Sequence, residues 1–143
     1  MKQLTGVLVL IVLLFAPQMT FATGTASMTL EPTQKIVEVG TSFDIQIRVN
    51  PNGESVDTVR ANLSFDEDLL KVDHFTLGET FPRISPSNTI DNDAGTFSQG
   101  GFTLEGPVTT SGVFGTVTLI AKAAGSATVS VLDTSRVISD GEE

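Results

Sequence analysis

The sequence predicts an all-β protein built as a sandwich of two antiparallel sheets. From about Ser27, apolar residues alternate with polar ones, which is the period of a strand with one buried face. Turn residues interrupt this alternation every ~8–12 residues, a spacing typical of sandwich strands. The only helix-like stretch, residues 66–70, is a single turn with acidic residues near its start. The 143 residues suffice for one domain.

Four runs define the main strands, and weaker runs at 28–30, 36–39 and 96–104 add shorter ones. Residues 50–53 end the first main strand with a turn, and 124–125 favour a hairpin between the last two. The main strands direct these residues inward: Phe43, Ile45, Ile47, Val49; Val59, Ala61, Leu63, Phe65; Val117, Leu119, Ala121, Ala123; Ala127, Val129, Val131.

Two segments interrupt the strand pattern. Gly100 and Gly101 fall inside the 96–104 strand, where paired glycines indicate a bulge or a close approach of another backbone. Residues 78–95 contain two prolines, two asparagines and a terminal glycine, so the sequence predicts a long loop there. Long loops in compact domains are often functional, although this one also fits a plain connection across the end of the sandwich.

The N-terminus predicts export. Lys2 precedes the apolar run 7–16, which is shorter than the roughly 20 residues needed to span a bilayer. It fits the apolar region of a secretory signal, roughly 7–15 residues long. We therefore predict a signal peptide over residues 1–22, with cleavage as late as residue 26, and a domain over 27–143. An uncleaved N-terminal anchor is the alternative, and in both cases the domain lies outside the cytoplasm.

Composition excludes several classes of function. The chain has no cysteine, which rules out disulfides, thiolate metal sites and a cysteine nucleophile. Its formal net charge of -9 repels nucleic acid phosphates and anionic membranes, so neither is an expected partner. A basic or calcium-bearing protein partner would suit this charge.

Catalytic and metal-binding patterns are weak. His74 is the only histidine, and no serine nucleophile motif accompanies it, so we predict no enzyme active site, no catalytic residues and no cofactor. Asp91 and Asp93 offer alternating oxygen ligands before Gly95, as some calcium loops do. Phe102 stands where an EF-hand needs an acid, which favours a simple turn over a metal site.

Four segments, in order, resemble the cohesin domain family. They are GTSFDIQIRV at 40–49, LSFDEDLLKV at 63–72, GTVTLIAKAAG at 115–125 and the loop at 133–141. The resemblance implies a jelly-roll sandwich of about nine strands. Cohesins continue past the last of these segments into a closing strand, so we expect a chain truncated before that strand.

The resemblance also implies a function. Cohesins recruit dockerin modules, which carry calcium themselves, and so gather polysaccharide-degrading enzymes on an extracellular scaffold. They bind through one flat sheet face that includes the strand matching 59–65. The outward residues of that strand are the candidate partner-binding residues: Arg60, Asn62 and Ser64.

Two other functions fit the same fold. The cohesin superfamily includes carbohydrate-binding domains, so a polysaccharide-binding module is the first alternative. The chain has no tryptophan or tyrosine, the residues on which sugar rings commonly stack, and only phenylalanine is available for that role. A cell-surface structural or adhesion domain without a discrete ligand is the second alternative.

Overall fold

The computed structural model describes residues 10–14 and 26–138, and this part of the chain contains twelve strands and no helix. The strands are β1 (Leu10–Leu14), β2 (Ser27–Pro32), β3 (Ile36–Glu38), β4 (Ser42–Asn50), β5 (Thr58–Phe65), β6 (Leu70–Leu77), β7 (Arg83–Ile84), β8 (Thr89–Asp91), β9 (Thr96–Phe102), β10 (Gly112–Ala121), β11 (Gly125–Val131) and β12 (Arg136–Ile138). No helix of these residues is long and apolar enough to cross a membrane.

The strands form two sheets. The small sheet has the order β2-β4-β10-β6, with all pairs antiparallel. The large sheet has the order β3-β1-β11-β5-β9-β7, while β8 also pairs with β9 and β12 also pairs with β5. From β4 onward the chain passes repeatedly from one sheet to the other, which is the connectivity of a jelly-roll sandwich. The predicted fold class is therefore confirmed.

Alternation along each strand builds the core between the sheets. β4 and β5 bury every second residue, and the inward residues of the predicted runs are almost completely inaccessible, except Ala123 and Val131, which are only half-buried. Burial of such apolar surface stabilises the folded state by about 25 cal/mol per Å². The largest fully buried side chains are Phe81, Phe97, Phe114, Ile45, Ile47, Leu63, Leu70, Leu119, Val37, Val49 and Val56.

A cluster of phenylalanine rings fills one part of this core. The Phe75 ring lies 5.4 Å from the Phe97 ring and 5.5 Å from the Phe114 ring, and Phe114 lies 6.2 Å from Phe81, measured between ring centroids. Gly115 makes room for the cluster, since a Cβ there would lie 2.3 Å from the Phe75 ring. The cluster joins β6 and β10 of the small sheet to β9 and the segment before β7.

Several predicted connections are wrong. β10 and β11 do not form a hairpin, because β10 pairs with β4 and β6 whereas β11 lies in the other sheet. The 78–95 loop contains β7 and β8, and the loop at 133–141 contains β12. β6 was not predicted, because a bulge opposite Thr118 breaks its alternation at Asp73.

The predicted signal peptide lies mostly outside the described residues. Its described part, Leu10–Leu14, forms β1, which pairs in parallel with β11 and antiparallel with β3. The signal peptide at 1–22, the cleavage site and the domain boundary at 27 stay predictions. The expected truncation of the domain also stays a prediction, since residues 139–143 lie outside the described part of the chain.

Asn92 connects the two sheets, because its side-chain amide bonds to the backbone of β6 as a neighbouring strand would. It lies in the turn between β8 and β9, and its side-chain amide bonds to the backbone of Val72 in β6. The Val72 N–H donates to Asn92 Oδ1 at 2.7 Å, and Asn92 Nδ2 donates to the Val72 carbonyl at 3.0 Å. One side chain thus satisfies both backbone groups of Val72 that face the β8–β9 turn.

Replacing Asn92 with alanine should lower the free energy of unfolding by about 2–3 kcal/mol, because two partly buried backbone groups lose their partners. Asp93→Ala in the same turn is the matched control, since Asp93 is exposed and its side chain forms no hydrogen bond with the residues that the structure describes. Urea denaturation measures both variants, and faster hydrogen exchange at the Val72 amide should accompany only the first. Equal losses for the two variants would contradict this role for Asn92.

Candidate partner-binding face

The outer face of the large sheet is lined mainly by small uncharged side chains. Register places the outward residues of β5, β9 and β11 side by side, with Ser64 between Thr96 and Ser130, and Asn62 beside Ser98. We define the outer face as the following residues: Thr58, Arg60, Asn62, Ser64, Thr96, Ser98, Gly100, Phe102, Thr128 and Ser130. Between its two ends this face presents hydroxyl groups and no charge.

The small sheet presents a different surface. Its solvent-facing positions carry charged residues on most strands, and Arg48 pairs with Glu31 across two neighbouring strands at 3.2 Å. Asp44 accepts a hydrogen bond from Thr118 on the adjacent strand at 2.7 Å. Lys71 is exposed on the edge strand β6. Interface centres are depleted of charged residues, so the large sheet is the better docking surface.

Arg60 ties the loop between β7 and β8 to the outer face. Its guanidinium donates hydrogen bonds to the carbonyls of Pro86 (2.7 Å) and Ser87 (3.2 Å) and to the Ser98 hydroxyl (3.1 Å). Ser87 has a φ of 63°, a left-handed conformation that costs a non-glycine residue free energy. Arg60 therefore holds residues 85–88, the Pro86 loop, in a shape that the loop would not keep on its own.

Gly100 is the position at which this loop packs against β9. The Ser85 N–H donates to the Gly100 carbonyl at 3.0 Å, and the Gly100 N–H donates to Asn88 Oδ1 at 2.9 Å. A Cβ at Gly100 would lie 2.8 Å from the Arg60 guanidinium and 2.9 Å from Ser85 Cβ. A residue without a side chain is needed here so that the loop can lie across β9.

Asn62 holds a second loop on the same outer face, on the side of β5 away from β9. Its Nδ2 donates to the carbonyl (2.9 Å) and hydroxyl (3.1 Å) of Thr134, and its backbone N–H donates to the Ser135 hydroxyl at 3.0 Å. Its Oδ1 accepts a hydrogen bond from Ser98 at 2.6 Å. Residues 132–135, the Thr134 loop, therefore bulge over the outer face where the pairing of β11 and β12 with β5 is interrupted.

The structure places the three predicted site residues on one face but gives them different surroundings. Arg60 and Asn62 are half-buried and bonded to the Pro86 and Thr134 loops. Ser64 is half-buried, and no hydrogen bond of its side chain is found within the described chain. Thr96 beside it is exposed. Ser64 and Thr96 are therefore directly accessible from the outer face, whereas the two loops lie above Arg60 and Asn62.

Sequence reasoning missed the loop residues that cover the face. Pro86, Ser87, Asp133 and Thr134 are all exposed there. The proline- and asparagine-rich composition of residues 78–95 indicated a loop, but nothing in the sequence showed which surface it covers. The loop lies on the outer face because β7 and β8 pair with β9, which only the structure shows.

Asp91 and Asp93, the candidate calcium ligands, lie in the β8–β9 turn. Asp91 Oδ1 accepts hydrogen bonds from the backbone N–H groups of Asp93 (3.0 Å) and Ala94 (2.9 Å), which is how an aspartate stabilises a turn. Within the described residues no group of three or more acidic or histidine side chains could hold a metal ion. His74 is exposed, and its Nδ1 lies 2.8 Å from the neighbouring Asp73 carboxylate.

The phenylalanines mostly serve the core. Phe81, Phe97 and Phe114 are buried, and none of the phenylalanines in the described residues belongs to the exposed class. Phe102 is half-buried on the outer face and Phe75 is half-buried in the ring cluster. A sugar that stacked on the outer face would therefore have Phe102 as its only ring among the described residues.

Solved structures similar to this one include several cohesins. The type II cohesin of a cohesin–X-dockerin complex from Acetivibrio cellulolyticus has a TM-score of 0.65 and 14% identity, over 82% of this chain and 93% of that one. The sixth cohesin of scaffoldin B from the same organism, in complex with a Cel5 dockerin mutant, has a TM-score of 0.64 and 13% identity, over 80% and 86%.

A type I cohesin–dockerin complex from Clostridium thermocellum has a TM-score of 0.58 and 16% identity, covering 71% of this chain and 74% of the solved one. No curated protein sequence matches the chain. The cohesin domain family model matches residues 27–143, the same segment in which the four sequence motifs occur. The chain therefore belongs to the cohesin domain family.

Proposed function

We propose that this chain is a non-catalytic binding module that recruits a dockerin to an extracellular polysaccharide-degrading assembly. Cohesin domains are binding modules rather than catalysts, and the solved relatives are described in complexes with dockerins. The observation that carries the proposal is the outer face of the large sheet. It combines an uncharged centre with two loops held in place by Arg60 and Asn62.

The outer face can bind a partner at a low cost in conformational entropy and in desolvation of charge. Hydrogen bonds already hold both loops, so binding orders little additional chain and costs little conformational entropy. The hydroxyl groups of Ser64, Thr96 and Ser130 can each donate and accept a hydrogen bond, so they suit the polar side chains of a docked helix. The centre of the face carries no charged side chain that would have to lose its water on binding.

We also propose that the partner holds any calcium and that the module acts outside the cell. Any calcium belongs to the dockerin, because the Asp91 carboxylate serves its own turn. Export by the predicted signal peptide would deliver the module outside the cell, either free or attached to the surface. Neither polysaccharide nor nucleic acid is needed for the interaction that we propose.

Calorimetric titration with a panel of calcium-loaded type I and type II dockerins tests the function. We expect at least one dockerin to bind with a micromolar or tighter dissociation constant, and EDTA should abolish binding by unfolding the dockerin. Ser64→Arg should weaken binding at least tenfold, because it inserts a long charged side chain at the centre of the outer face.

Gln46→Arg is the matched control, since Gln46 occupies a half-buried position on the other sheet. It should leave the affinity within twofold of the unmodified protein. If no dockerin binds, the proposed function is wrong. Retardation on a polysaccharide gel that Phe102→Ala abolishes would then support the carbohydrate-binding alternative. If the chain bound neither a dockerin nor a polysaccharide, the adhesion domain would be favoured.

A further inference from the structure

Three of the four arginines in the chain lie at one end of the large sheet. Arg136 pairs with Arg60, and Arg83 pairs with Phe102, so register places all three on the outer side at this end. Arg83 and Arg136 are exposed. The ion pairs found within the described residues, Arg48–Glu31 and His74–Asp73, do not involve these three arginines. These three guanidinium groups define the basic end of the outer face, in a chain whose net charge is -9.

The opposite end of the face is acidic. Asp91 pairs with Thr96 and therefore shares the outer side, and Asp93 is exposed in the turn that follows. Glu67 lies beside the same turn, since its Oε2 would be 3.0 Å from a Cβ placed on Gly95. The carboxylates of this end and the guanidinium groups of the other end leave the uncharged centre between them.

The distance between the two charged ends matches a helix of moderate length. Phe102 lies six positions after Thr96 along β9, which corresponds to about 20 Å of strand. A helix of about 13 residues covers that distance. Its C-terminal carbonyl groups carry partial negative charge and its N-terminal N–H groups carry partial positive charge.

We propose that this charge polarity selects one direction for the docked partner helix, with its C-terminal end over Arg83 and Arg136. Its N-terminal end then lies over Asp91 and Asp93. The partner is a dockerin helix with acidic side chains in its last turn, where they add to the negative end of the helix dipole. This inference rests on the proposed function, because it specifies how the outer face recognises its partner.

A charge reversal tests the basic end. The double variant Arg83→Glu with Arg136→Glu should weaken binding of a dockerin by about tenfold at low ionic strength, because two attractive contacts become repulsive. The effect should shrink at 1 M NaCl, where charges are screened within about 3 Å. Arg48→Glu with Lys71→Glu makes the same change of charge on the other sheet and should leave affinity within twofold.

A spin label tests the direction. The chain contains no cysteine, so Leu104→Cys at the basic end and Ala94→Cys at the acidic end each accept one nitroxide. Both positions are exposed, so labelling leaves the core intact. With an isotope-labelled dockerin, the Leu104 label should broaden signals from the C-terminal part of the docked helix. The Ala94 label should broaden signals from its N-terminal part.

The outcomes separate the two proposals. The opposite pattern, or equal broadening of both helix ends from each label, would overturn the directional inference while leaving dockerin binding intact. Equal affinities for the two charge-reversal variants would overturn it as well. Failure of every dockerin to bind the unmodified chain would overturn the proposed function and this inference together.

Discussion

Replacing Phe114 with alanine should lower the free energy of unfolding by about 3–5 kcal/mol. The ring is fully buried and packs against Phe75 and Phe81, so its removal leaves a cavity that neighbouring strands cannot close without moving. Domains of this kind typically have only about 5–15 kcal/mol of stability, so the variant should lose a large part of it. Guanidinium denaturation followed by circular dichroism measures the change.

Phe102→Ala is the matched control, because it removes the same ring from a half-buried position on the outer face. Its cost should stay below about half that of Phe114→Ala, since less apolar area returns to water. A comparable loss for the two variants would show that the ring cluster does not organise the core. A loss below about 1 kcal/mol for Phe114→Ala would show the same.

Replacing Arg60 with methionine should weaken dockerin binding by about tenfold, or about 1.4 kcal/mol. Methionine keeps much of the length of the side chain but loses the three hydrogen bonds that hold the Pro86 loop and Ser98. Without them Ser87 should relax from its left-handed conformation, and the loop must then be ordered again during binding. Arg60 thus acts as a positioning residue.

Arg48→Met removes the same charge from the other sheet and should leave binding unchanged. Amide exchange distinguishes a positioning role from general destabilisation. The amides of Ser87 and Asn88 should exchange faster in Arg60→Met, whereas the Val72 amide in the other sheet should not change. Unchanged exchange at Ser87 together with weaker binding would instead indicate that Arg60 contacts the partner directly.

Variants beneath the two loops should also affect binding, because the loops depend on a shared set of hydrogen bonds. The Ser98 hydroxyl donates to Asn62 and accepts from Arg60, so one serine connects the residues that hold the Pro86 and Thr134 loops. Changing any of these three side chains should therefore alter both loops. Ser64 is outside this network, and its substitution should affect binding without changing either loop.

The inward residues of the strands could be read from the sequence, because a strand with one buried face needs an apolar residue at every second position. This rule located β4, β5, β10 and β11, and it correctly assigned Ile45, Ile47 and Leu63 to the core. It failed at β6, where the bulge at Asp73 shifts the alternation by one residue. The ordered motifs also indicated the cohesin family, which the family model confirms.

The sequence alone thus determined the fold class, the family and the strand that carries the candidate site. Tertiary structure decided which sheet each strand joins, because strands of either sheet show the same period of two. It also decided that Arg60 and Asn62 support loops. Their partners, Pro86 and Thr134, lie 26 and 72 residues away along the chain. Hydrogen bonds over such separations depend on strand pairing, and no local pattern of side chains encodes them.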